Sequence, residues 1–326
     1  MNGPTWTPEE WADGIRRADR AFLGRALSLV ESTLPEDAAR AADLFAALGS
    51  PRQSTFRLGI TGNPGAGKST LTEALGVNWA EQGHRIAVLA VDPSSSLHRG
   101  SILGDKTRME RLSRHPNAFI RPVASGGQLG GVAASTRAAI ALLEHAGYTK
   151  ILLETVGVGQ NETDAAHYVD GLLLLALSNA GDEVQGIKRG IMERADLIAV
   201  NKCDGSFVDA GRRTATQLRE SLKWFTREDG WSVPVLQLSA AEGTGLQELD
   251  EALNRYERWV RGTGEFDARR SSQREHAWRE AWTAFLAQWA DQQPEIATRR
   301  DQARAACSHG QSAEAALRAA FFPKKN

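Results

Sequence analysis

The sequence predicts an α/β protein with a mainly parallel sheet flanked by helices, preceded by a helical segment and followed by a helical extension. Two observations carry that prediction. Between residues 56 and 239, seven short apolar runs alternate with helix-length stretches: FRLGI, RIAVLAV, NAFIRPV, KILLET, DGLLLLAL, DLIAVN and VPVLQLS. Runs of about 4–8 apolar residues separated by helical lengths are the pattern of strands buried on both faces and joined by crossover helices. The first run also passes into GITGNPGAGKST, a glycine-rich turn with a helical pattern behind it. In such sheets phosphate-binding loops lie at the carboxyl ends of strands.

The stretch TPEEWADGIRRADRAFLGRALSLVE opens with Thr7 as N-cap, Pro8 at the first helical position and Glu10 three residues after the cap. This is the signature of a helix start. A second start at Pro35 leads through EDAARAADLFAALG to Gly49, and residues 50–54 read as a linker. The expected division is a helical segment over 1–54, a sheet domain over 55–262 and a helical extension over 263–326. In the extension Trp278, Trp282, Phe285 and Trp289 recur at helical spacing and form one stripe, suited either to core or to a dimer contact. Pro294 and Gly310 punctuate two further helical pieces.

With 39 basic and 40 acidic side chains in 326 residues, the formal net charge is −1. That balance offers no electrostatic case for nucleic acid or an anionic membrane as a main partner. Cys203 and Cys307 are far apart and form no CxxC pair, as expected of reduced thiols in a cytoplasmic protein. The opening MNGPTWTPEEWADG is acidic and lacks the apolar core of a secretory signal. The run GLLLLAL is far shorter than the ~20 residues of a membrane helix.

Gly62, Gly67, Lys68 and Ser69 complete G-x-x-x-x-G-K-[ST], and the turn between them holds Asn63, Pro64, Gly65 and Ala66, with Thr70 following. Glycines let backbone N–H groups converge on phosphate oxygens, and the helix behind adds its positive end. Lys68 is expected on the β- and γ-phosphates and the Ser69 hydroxyl on Mg²⁺. The second run ends at Asp92, where the Mg²⁺ shell needs a carboxylate, directly or through water.

LIAVNKCD supplies Asn201, Lys202 and Asp204, similar to the N-K-x-D motif of GTPases. An ionised Asp only accepts hydrogen bonds, and guanine presents two adjacent donors that adenine lacks. Such a mismatch discriminates strongly against ATP. Asn201 is expected to fix the loop and the Lys202 stem to lie against the base. In LSAAEGTG, Ser239, Ala240 and Ala241 occupy the place of the loop that covers guanine, with Ala241 where Lys or Leu is commoner. GTP or GDP is the expected nucleotide.

AVDPSSSLHRGSILGDKTRM, ETVGVGQNE and AGDEVQGIKRGIMERADLIAVNK together resemble the MeaB/ArgK family of GTPases, chaperones of adenosylcobalamin-dependent acyl-CoA mutases such as methylmalonyl-CoA mutase. The resemblance runs nearly continuously over residues 57–239. It implies a P-loop NTPase of the SIMIBI type: a G domain with a helical N-terminal segment and a helical C-terminal dimerisation extension. It places Ser69, Asp92, Asp105 and Glu154 at the Mg²⁺ site. Asp105 and Arg108 fall on the first switch, and Glu154 and Gly157 stand where many GTPases have D-x-x-G in the second. Residues 177–188, with Asp182 and Lys188, correspond to a third switch facing the mutase. Implied partners are the mutase, a cobalamin adenosyltransferase and a second copy of the chain. No D-x-H-x-x-G pattern is present, so no cobalamin is expected on this chain itself.

Ras-type enzymes place a water-orienting Gln directly after the second-switch Gly. Here that residue is Val158, and Gln160 lies two further on, so slow intrinsic hydrolysis that a partner accelerates is expected. Arg99, where the family has Gly, and Ser178 and Asn179, where Pro-Gly is common, bear on which mutase is the client. A kinase associated with lysine, arginine and ornithine transport is the rival reading, and N-K-C-D opposes it. A nickel-insertion GTPase would carry clustered His or Cys ligands, whereas seven scattered histidines and two distant cysteines offer no cluster. The set Lys68, Ser69, Asp92 and Glu154 argues against a binding module without hydrolysis.

Overall fold

The computed structural model describes residues 6–32, 34–51, 55–92, 109–124, 131–155, 165–178, 189–225 and 227–322. Two compact units are present, Met1–Gln273 and Arg274–Asn326.

In the first unit, helix α1 (Pro8–Arg16) starts as expected. Thr7 accepts from the Glu10 backbone N–H, and the Glu10 carboxylate accepts from that of Thr7. The stretch behind that start is not one helix. Ala18 takes a positive φ of 56°, and Asp19 caps a second helix, α2 (Arg20–Val30), by accepting from the N–H groups of Ala21 and Phe22. Helix α3 (Pro35–Leu48) ends at Gly49, whose φ of 65° favours glycine.

All seven apolar runs form strands: β1 (Phe56–Gly62), β2 (Ile86–Asp92), β3 (Ala118–Ala124), β4 (Lys150–Glu154), β5 (Gly171–Leu177), β6 (Leu197–Asn201) and β7 (Val235–Gln237). They make one parallel sheet in the order β3-β2-β4-β1-β5-β6-β7. Helices α4 (Lys68–Glu81), α5 (Glu110–Arg114), α6 (Gly131–His145), α7 (Arg189–Arg194), α8 (Val208–Leu222) and α9 (Leu246–Thr263) fall between and after the strands.

Alternate residues along each strand feed two separate cores, which is why the runs read as continuously apolar. Leu172 and Leu174 of β5 and Ile198 and Val200 of β6 pack with α6, α8 and the N-terminal helices, through Ile15, Leu27 and Leu44. Leu173, Leu175, Leu197 and Ala199 face the other way, onto Leu71, Leu75 and Trp79 of α4 and Leu253 and Tyr256 of α9.

Helix α10 (Glu265–Asp291) begins in the first unit, and its early residues enter a buried ionic network below the amino ends of β1, β5 and β6. Arg57 and Arg270 both bond Glu144, Arg270 also chelates Asp170, and Arg227 and Arg269 meet on Asp196. Asp170 and Asp196 are almost wholly buried, so each carboxylate needs its guanidinium. Burial alone would lower the pKa values of Arg227, Arg269 and Arg270, but their carboxylate partners outweigh it and hold all three above the ordinary arginine value.

The second unit contains the rest of α10 with α11 (Pro294–Ser308) and α12 (Ala313–Phe321). Ala303 and Ala316 are buried. Trp278, Trp282, Phe285 and Trp289 are 59, 46, 56 and 46% exposed, so the stripe is not core of this unit. Its rings stack along the helix, with Trp278–Trp282 centroids 5.9 Å apart and Trp282–Phe285 5.8 Å. No helix among the described residues is long and apolar enough to cross a membrane.

Candidate active site

The glycine-rich turn leaves the carboxyl end of β1 and enters α4. Gly62, Gly65 and Gly67 all have positive φ, at 146°, 79° and 89°. At two of them the space is as demanding as the angle. A Cβ on Gly62 would lie 2.1 Å from the Leu175 carbonyl oxygen, and one on Gly67 would lie 2.5 Å from Asn201 Nδ2. Gly67 caps α4 with no side-chain hydrogen bond, so the helix begins without the usual polar cap, as an anion-binding N-terminus requires. Lys68 folds back over the turn, its Nζ donating to the carbonyls of Gly62 at 2.8 Å and Asn63 at 3.1 Å. Pro64, Gly65 and Thr70 are exposed, Ala66 is buried, and Asn63 and Ser69 are half-buried.

The Ser69 hydroxyl donates to Glu154 Oε1 at 2.6 Å. Glu154 closes β4, in register with Ile60 of β1 and Ala90 of β2, so the ends of three adjacent strands converge beside the turn. Asp92 ends β2 two residues beyond Ala90, opposite Ala124; its side chain lies outside the described set. A hydroxyl and a carboxylate in contact are hard oxygen donors, and this pair fits Mg²⁺.

On the other side of β1, the loop after β6 is tied to the phosphate turn through one side chain. Asn201, only 2% exposed, donates from Nδ2 to the Ala66 carbonyl at 2.8 Å and accepts from the Ala240 N–H at Oδ1, at 3.0 Å. Lys202 is exposed and takes a positive φ of 59°, uncommon for a residue with a Cβ. Asp204 Oδ2 accepts from the Ser239 hydroxyl at 2.6 Å, and Ser239 in turn pairs with Thr244 across a tight turn. Ala240 is buried and Ala241 exposed. Burial pushes the Cys203 thiol up, making it a packing group against α8 rather than a thiolate.

Lys68, Ser69 and Glu154 therefore come together at one end of the site, and Asn201, Asp204, Ser239 and Ala240 at the other. Asp105, Arg108, Gly157, Asp182 and Lys188 lie outside the described residues, as do Arg99 and Asn179. Two contacts were not anticipated from the sequence. Asp204 is held by the Ser239 hydroxyl, a side-chain bond between the loops after β6 and β7. Ser178 is buried at the end of β5, donating its N–H to the Asn201 carbonyl at 3.0 Å and accepting from the Thr214 hydroxyl at 2.9 Å. The co-occurrence of an N-K-x-D motif and a Ser-Ala loop 35 positions on signals the first contact; nothing in the sequence signals the second.

A parallel sheet that sets a glycine-rich phosphate turn and an Asn-Lys-x-Asp loop side by side, bridged by the Asn itself, defines a class: the protein is a P-loop GTPase. Within that class the chain belongs to the MeaB family, described as "Methylmalonyl Co-A mutase-associated GTPase MeaB", which matches residues 23–294. It is 50% identical over 268 residues to "Probable GTPase Rv1496" of Mycobacterium tuberculosis, covering 82% of this chain and 80% of that protein. It is 44% identical over 271 residues to "Methylmalonic aciduria type A homolog, mitochondrial" of Mus musculus, covering 80% of this chain and 65% of that one. A solved structure of a LAO/AO transport system kinase superposes with a TM-score of 0.78 at 32% identity, covering 98% of each chain.

Proposed function

We propose that this GTPase is a chaperone of an adenosylcobalamin-dependent acyl-CoA mutase, gating the loading, protection and repair of the mutase's cofactor. The observation that carries the reading is membership of a family described by its association with methylmalonyl-CoA mutase, joined to a site in which Asn201 links the phosphate turn to the Asn-Lys-Cys-Asp and Ser-Ala loops. The G domain over 55–262 binds and hydrolyses GTP; the helical segment over 1–54 buttresses it, and the extension over 263–326 is the dimerisation arm. The exposed stripe from Trp278 to Trp289 supports that last assignment, since a face of stacked rings is costly to leave in water.

Lys68 neutralises the β- and γ-phosphates, moving from the turn carbonyls it now bonds. Ser69, Asp92, Asp105 and Glu154 hold Mg²⁺, which when bound neutralises charge on the phosphate oxygens. Asp204 accepts from the two guanine donors and Asn201 keeps the base loop and the phosphate turn in register. Arg108, Gly157, Asp182 and Lys188 belong to switches that report the γ-phosphate to the mutase. The chain itself binds no cobalamin and works in the cytoplasm; a cobalamin adenosyltransferase is the second partner.

The transport-kinase reading, which the superposed kinase structure keeps in view, requires ATP and a phosphorylated protein acceptor. Nucleotide competition and size-exclusion chromatography with the mutase separate the two. GTP and GDP, not ATP, should displace bound guanine nucleotide, and the complex should change with the nucleotide bound. Displacement by ATP, or phosphate transfer to a protein, would sink the chaperone reading.

A further inference from the structure

We propose that Gln273, backed by Arg269 and Arg270, is a positioning residue for GTP hydrolysis: the first turns of α10 hold the chain where it leaves the second switch. The proposal rests on the reading of Glu154 and Gly157 as that switch. Residues 156–164 join two anchors that the structure describes. The first is Thr155, whose N–H and hydroxyl both donate to the Ile60 carbonyl, at 3.0 and 3.3 Å, beside the phosphate turn. The second is a short 3₁₀ turn, Ala165–His167, and the three residues that follow it into β5.

That second anchor is gripped from α10. Gln273 Nε2 donates to the carbonyls of Val169 at 2.7 Å and Ala166 at 3.5 Å. Arg269 Nη1 donates to the Asp170 carbonyl at 2.9 Å, and Arg270 chelates the Asp170 carboxylate at 2.8 and 2.7 Å. The two arginines tie α10 to groups already fixed by the sheet, because Asp170 also donates its N–H to the Arg57 carbonyl and accepts from the Arg57 N–H at its carboxylate. Gln273 differs: its amide reaches the carbonyls of the 3₁₀ turn and of the residue just before Asp170, one step closer to the switch. A buried amide facing two backbone carbonyls sets where that end of a nine-residue connection lies. The position of a loop end governs the geometry the loop can present to the γ-phosphate, and small displacements there are costly in rate.

The test uses the full-length protein with GTP and GDP. Gln273→Met keeps the volume and removes the donor; Gln273→Glu keeps the acceptor that faces Arg57 and turns the donor into an acceptor. Asp250→Asn serves as control, because Asp250 accepts from Trp79 and Gln82 of α4 rather than from this segment. Both Gln273 variants should lower kcat about tenfold while GDP affinity stays within about twofold, whereas Asp250→Asn should lower Tm and leave kcat unchanged. Unchanged kcat in the Gln273 variants, or a joint fall of kcat, GDP affinity and Tm, refutes the strut. Glu154→Gln measured alongside separates the two ideas. Hydrolysis at the wild-type rate in Glu154→Gln overturns the switch reading itself. Slow hydrolysis in Glu154→Gln with normal hydrolysis in both Gln273 variants keeps the switch and removes the strut.

Discussion

Replacing Asn201 by alanine should damage both folding stability and nucleotide binding, because one buried side chain bonds the phosphate turn on one side and the Ser-Ala loop after β7 on the other. The substitution removes the donor to the Ala66 carbonyl and the acceptor of the Ala240 N–H, and both of those residues are buried. Each buried backbone group left without a partner costs about 1–3 kcal/mol, so the two together cost about 2–6 kcal/mol. That is a large share of the roughly 5–15 kcal/mol that holds a domain together. At about 2–4 °C per kcal/mol for a domain of this size, Tm should fall by at least about 4 °C. GDP and GTP affinities should fall together, since both nucleotides need the turn and the loop in register. Asn201→Asp keeps the acceptor and loses only the donor, so it should fall between wild type and Asn201→Ala. Thermal unfolding and fluorescent-GDP titration read both effects. Wild-type Tm and GDP affinity in Asn201→Ala would refute the argument that this side chain couples the two halves of the site.

Two further expectations concern the scaffold. Arg270→Ala strips the guanidinium from Asp170 and Glu144, both buried, and should cost about 3–5 kcal/mol in urea unfolding; Arg270→Lys should recover little, since an ammonium cannot chelate Asp170 in the same way. His84 and His145 are both held below the ordinary imidazole value, chiefly by burial, with Lys150 adding to the effect at His84 and Arg16 at His145. Glu257 and Asp250 oppose it at His84, and Glu144 opposes it at His145. The unfolded chain therefore takes up these protons first, so stability is fully present above the ordinary histidine pKa and declines as pH falls through it. Tm measured from pH 7.5 to 5 should drop, and His145→Gln should flatten part of that slope.

The sheet was legible because burial on both faces writes each strand as an apolar run, as in GLLLLAL, which feeds Leu172 and Leu174 to one core and Leu173 and Leu175 to the other. The phosphate turn and the Asn-Lys-Cys-Asp loop were legible because their chemistry is local, concentrated in a few adjacent residues. The break at Ala18 was harder to see: a non-glycine residue at positive φ leaves no compositional mark, and only Asp19 hinted at a new cap. The ionic network was invisible for a different reason. Arg57, Glu144, Asp170, Asp196 and Arg270 are spread over more than two hundred positions, and each alone reads as an ordinary surface charge. The pairing of Ser178 with Asn201 and Thr214 is likewise a product of the fold and not of any motif.

The central claim is that hydrolysis at this site is gated by a mutase. The most direct measurement is the GTP hydrolysis rate of the purified protein, alone and with the adenosylcobalamin-dependent acyl-CoA mutase of the same organism. The account predicts slow turnover alone, since Val158 occupies the position of the water-orienting Gln, and a large increase on adding the mutase. Rapid turnover by the isolated protein, or tight GTP binding with neither acceleration nor complex formation, would contradict it.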